Sequence, residues 1–84
     1  MYKITFSKQA YKVLRKIPRD VSTKIGRKIK ELALKPAKMR NVKKLTEHPG
    51  YRLRIGDWRV LYIVDEEERI IHIIKIKTRG EIYK

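Results

Sequence analysis

The chain has 84 residues, a formal net charge of +14 at pH 7 and no cysteine. A chain this short buries only about 60–65% of its unfolded surface, which allows one domain with a core of one sheet face and one helical layer. The missing cysteine excludes disulfides, thiolate zinc sites and a cysteine nucleophile, while self-repulsion at such a charge points to an anionic partner: nucleic acid, an acidic protein or an anionic membrane surface.

The opening MYKITFSKQA lacks an apolar h-region followed by a small-residue cleavage site, so no signal peptide is expected. Tyr2, Ile4 and Phe6 alternate with Lys3 and Thr5, predicting a short strand with one buried face. Ser7 follows as an N-cap whose hydroxyl accepts from an early unpaired amide. Ala10, Val13, Leu14 and Ile17 then recur at helical spacing until Pro18. A second helix carries Val21, Ile25, Ile29 and Leu32 on one stripe and ends near Lys35, because the residue before Pro36 avoids the α region. Gly26 weakens that helix by up to about 1 kcal/mol relative to Ala, and a close helix–helix contact would explain it.

Residues 36–50 read as a basic connection with Lys38, Arg40, Lys43 and Lys44, anchored by Val42 and Leu45 and closed by the turn His48-Pro49-Gly50. The run GYRLRIGDWRVLY predicts two strands joined at Gly56-Asp57, a tight hairpin. Tyr51, Leu53 and Ile55 share one face of its first strand, Arg52 and Arg54 the other, and Arg59 follows the turn. Three guanidinium groups on one hairpin suit a polyanion better than mere solubility does. Trp58 and Tyr62 share strand parity with Val60 and Val64, which assigns them to the core. Residues 65–68 form an acidic tip, and Arg69 to Lys77 a last strand, apolar on both parities as an interior strand is. The longest apolar stretch, Ile70 to Ile76, is interrupted by His72 and Lys75 and is far short of the roughly 20 residues a membrane helix needs. A soluble, cytoplasmic protein is expected, with no metal or cofactor. His48 reads as an exposed loop residue and His72 as a satisfied strand histidine.

The order β-α-α-β-β-β predicts an α+β fold, two N-terminal helices on one face of a mostly antiparallel four-stranded sheet, with residues 1–84 as a single domain.

Across nearly its whole length the chain resembles the RelE/ParE superfamily of toxins from toxin–antitoxin pairs. The likeness rests on the strand-helix-helix opening, a basic residue before the leucine in VKKL, the YRLRIGDWRVLY hairpin, and Arg79 followed four residues later by Tyr83. RelE-like members are endoribonucleases that cut messenger RNA in the ribosomal A site. ParE-like members keep the fold, inhibit DNA gyrase and lack the basic-plus-tyrosine set.

The resemblance implies a catalytic set of Arg52, Arg54, Arg59, Arg79 and Tyr83, with Lys43, Lys44, Lys75 and Lys77 as further RNA contacts. The implied partners are an acidic RelB-like antitoxin, the ribosome and messenger RNA, with no membrane. Arg52 and Arg54 stand where the best-known RelE members carry lysine. Arginine suits charge stabilisation on phosphate but cannot serve as a base at neutral pH, so the proton acceptor is left open. The expected roles are a phosphate clamp by Arg59 and Arg79, stabilisation of the 2′-oxygen by Arg52 and Arg54, and stacking or proton transfer by Tyr83.

Overall fold

The hairpin turn sets the geometry of the sheet. Gly56 takes φ +59 while Asp57 keeps a negative φ, the pattern of a two-residue turn with glycine at its first central position. The computed structural model describes residues 1–78, so Arg79 and Tyr83 lie outside the described residues. In chain order the elements are β1 (Lys3–Phe6), α1 (Lys8–Lys16), α2 (Arg19–Leu34), a single 3₁₀ turn (Pro36–Lys38), β2 (Val42–Lys44), β3 (Tyr51–Ile55), β4 (Trp58–Asp65) and β5 (Ile70–Thr78). The sheet order is β1-β5-β4-β3-β2, with β1 parallel to β5 and the other neighbours antiparallel.

The expected α+β architecture is present, with one strand more than four. Val42–Lys44, inside the basic connection, pairs with β3 and forms an edge. Three residues are too short to show alternation in sequence, and only the pairing reveals the strand. Gly50 closes the turn before β3 at φ +118, where a Cβ would sit 2.6 Å from the Tyr62 carbonyl oxygen; only glycine permits that approach.

The helices cover one face. Ala10, Ile25, Ile29 and Leu32 pack against Leu53, Ile55, Val60, Tyr62, Ile71, Ile73 and Ile76. Each fully buried Ile or Leu contributes about 1.5–3 kcal/mol of transfer energy. Trp58 and Val64 pack at the margin of this cluster, as their parity predicts. Ser7 caps α1 by accepting from the Ala10 amide at 3.1 Å, and Lys35 ends α2 before Pro36.

Two expectations are corrected. Phe6 shares the parity of Ile4 but is 42% exposed, at the end of an edge strand that has a neighbouring strand on one side only. Gly26 meets no close contact: a Cβ there would have nothing within 4 Å.

Between β4 and β5 the register shifts. Leu61 pairs with Lys75 and Tyr62 with Ile73, leaving Ile74 as an extra residue. This bulge restores core parity, so that both Ile73 and Ile76 point to the helices. Where β1 peels off into α1, side chains take over its pairing with β5. The Ser7 hydroxyl donates to the Ile74 carbonyl, and the Gln9 amide donates to the Ile76 carbonyl and accepts from the Ile76 amide at 3.1 and 3.0 Å. No helix among the described residues is long and apolar enough to cross a membrane.

Candidate nucleic-acid interface on the open face of the sheet

Strand alternation sends one parity to the helices and the other to the open face. Cross-strand pairing then builds rows across the open face. Arg54, Arg59 and Lys77 stand in register on β3, β4 and β5. One step along the strands, Lys43, Arg52, Leu61 and Lys75 form a second row from β2 to β5. The two rows hold six cations around one apolar residue and no carboxylate. Like charges directly opposite on neighbouring strands destabilise a sheet, and an anion lying across these rows relieves that cost.

The row members differ in access. Arg54 is exposed and Arg52 half-buried. Arg59 is only 6% exposed. One terminal nitrogen of its guanidinium donates to the Gly56 and Trp58 carbonyls at 2.9 and 3.0 Å, bracing the hairpin turn from within. Its Nε is buried without a hydrogen-bond partner among the described residues. The sequence places Arg59 as the third guanidinium of the hairpin, just past the turn; that turn also folds its side chain inward.

Of the four lysines expected at the interface, Lys43, Lys75 and Lys77 share the open face. Lys44 does not, since it pairs with Tyr51, whose neighbour Tyr62 points to the core. A two-residue period separates adjacent lysines onto opposite faces. Leu61 was missed, although its parity with Arg59 marks it as the floor of the central row. Tyr51 and Tyr62 stack with centroids 5.5 Å apart on the helix side, and burial, with Tyr51 adding, pushes the Tyr62 hydroxyl up to about 12. Both rings therefore lie on the face opposite the cationic rows.

His72 pairs with Ile63 and Thr5, one row beyond Leu61, and its Nδ1 lies 2.6 Å from the Thr5 hydroxyl. It is the satisfied strand histidine the sequence suggests. His48 is exposed in its loop.

A family model described as the ParE toxin of type II toxin–antitoxin systems (parDE) matches residues 4–83. Among solved structures, the archaeal RelE–RelB complex from Pyrococcus horikoshii OT3 holds a chain 33% identical to this one (TM-score 0.72), over 94% of this chain and 96% of that one. The intact Escherichia coli RelBE toxin–antitoxin complex matches at 25% identity and TM-score 0.79, over 93% and 96%. The RelBE2 complex from Mycobacterium tuberculosis matches at 25% and 0.79, over 93% and 98%. No curated protein matches the sequence.

Proposed function

The chain belongs to the ParE toxin family of type II toxin–antitoxin systems, and from that premise we propose that it is a RelE-like endoribonuclease cutting messenger RNA in the ribosomal A site. The observation that carries this reading is the pair of cationic rows on the open face, Arg54–Arg59–Lys77 and Lys43–Arg52–Leu61–Lys75. In the reaction the ribose 2′-oxygen attacks the adjacent phosphorus and its proton passes to a base; the P–O5′ bond breaks as the departing 5′-oxygen takes up a proton from solvent or a general acid, giving a cyclic phosphate and a 5′-hydroxyl.

Arg54 and Lys77 contact the scissile phosphate, and Arg52 and Lys75 hold the oxygens of the attacking side, with Leu61 as an apolar floor beneath the ribose. Arg59 holds the turn that carries Arg54. Arg79 and Tyr83 keep the roles that the resemblance implies, a second phosphate contact and stacking or proton transfer. Losing one well-placed anion donor costs about 2.7–4 kcal/mol of transition-state stabilisation, or roughly 10²–10³ in rate. The ribosome supplies the orientation of the message. An acidic antitoxin neutralises the toxin by covering the helices and the cationic face, as the RelE–RelB neighbours suggest and as a chain of net charge +14 requires of a partner.

The match to a ParE toxin model favours a second reading, inhibition of DNA gyrase without nuclease activity. Primer extension on a translated message, beside a supercoiling assay with gyrase, separates the two. Message cleavage that falls by about 10²-fold or more in Arg54→Ala supports the ribonuclease. Intact message together with lost supercoiling establishes the gyrase inhibitor instead.

A further inference from the structure

At the edge of the sheet, β2 begins at Val42 while its partner strand runs on past Leu53, so the end of β3 borders a notch rather than a strand. Asn41, at φ +60, turns the chain there, and its carbonyl accepts from the Arg54 amide at 2.9 Å. The notch encloses about 290 Å³ between Lys28 and Glu31 of α2, Lys38 and Arg40 of the connection, and Arg54 of β3. Four cations thus converge from three separate segments of the chain. Among the described residues Glu31 is the single carboxylate on these walls, and it lies 3.6 Å from Lys28. Lys38, Arg40 and Arg54 have no carboxylate within salt-bridge distance among the described residues.

We propose that this notch is a second phosphate subsite, holding the RNA backbone where the strand leaves the open face. The inference rests on the ribonuclease reading and extends its substrate path. Arg54 is the link, because it stands in the cationic row and also walls the notch. A strand whose scissile phosphate meets Arg54 is thereby led over the sheet edge to Lys38 and Arg40. Lys38, Arg40 and Arg54 repel one another in the free protein, since the one carboxylate among the described residues of these walls is engaged with Lys28, and a phosphate removes that repulsion while accepting several donors at once. The shared Arg54 favours nucleic acid over an acidic peptide as the occupant.

The test measures binding of RNA that is 2′-deoxy at the scissile ribose, as a dinucleotide and as an extended oligonucleotide, to the full chain and to Lys38→Gln/Arg40→Gln. Both substituted side chains are exposed, and circular dichroism checks that the fold is kept. For the extended RNA, the slope of log affinity against log salt should fall by about 1.4, at ~0.7 per cation; for the dinucleotide it should not change. An unchanged slope for the extended RNA overturns the subsite. So does an equal fall in Lys12→Gln/Lys16→Gln on α1, which would mean diffuse charge, or saturation of the notch by inorganic phosphate regardless of strand length. Loss of affinity for an acidic peptide, with RNA binding intact, would assign the notch to a protein partner. Because the RNA is not cleaved, length-dependent binding without any message cleavage would leave the subsite standing and remove the ribonuclease.

Discussion

Arg54 and Arg59 stand opposite one another on adjacent strands, yet one is exposed and the other nearly closed off. Arg54→Ala removes a charge that water already solvates, so stability should stay within about 0.5 kcal/mol. Arg59→Ala deletes two hydrogen bonds to turn carbonyls and should cost about 1–3 kcal/mol. Urea denaturation of both variants, set beside their cleavage rates, checks the assignment; equal stability of the two variants would end the bracing role. Tyr62 gives a pH signature. A tyrosine in the unfolded chain ionises near 10, whereas burial raises Tyr62 to about 12 in the fold. Its contribution is therefore complete below pH 10 and is lost as pH climbs through about 12. Denaturation midpoints measured across that window should decline in the wild type and decline less in Tyr62→Phe.

At the scale of elements, α1 does more than cover the sheet. Gln9 serves as a surrogate strand for Ile76, matching one donor and one acceptor. Gln9→Leu should therefore destabilise by about 1–3 kcal/mol, since it leaves a buried amide and carbonyl unpaired; hydrogen exchange at the Ile76 amide should accelerate in parallel. Gly26 illustrates the opposite case. With open space around its Cα, Gly26→Ala should stabilise by up to about 1 kcal/mol, read as a higher melting temperature. A lower one would mean that the helix needs that glycine for something the free chain does not show. The bulge at Ile74 couples the core to the cationic face: without the extra residue, either Ile73 or Ile76 would leave the core, or Lys75 would leave the cationic row.

For the molecule as a whole, the longest extent is 33 Å, close to the screening length of about 30 Å at 0.01 M salt. Every charge then feels most of the others. Raising salt towards 1 M, where screening acts within about 3 Å, should raise the melting temperature monotonically. A melting temperature that falls with salt would show that attractive pairs outweigh the net repulsion. An acidic partner acts in the same direction, by binding the folded state and neutralising it at once.

Composition and period alone determined much of this protein. The net charge, both helices with their ends at Ser7 and Pro36, the Gly56-Asp57 hairpin and the core role of Trp58 and Tyr62 follow from local propensities and two simple periods. Lys44 was separable from Lys43 by the same period once β2 was known to be a strand. Only the tertiary structure decided that β2 exists, that Ile74 bulges, that Arg59 turns inward to the hairpin carbonyls and that Lys28, Lys38, Arg40 and Arg54 share a notch. Those features depend on which strand lies beside which and in what register. Pairing across the sheet joins residues far apart in the chain, and no local pattern encodes that juxtaposition.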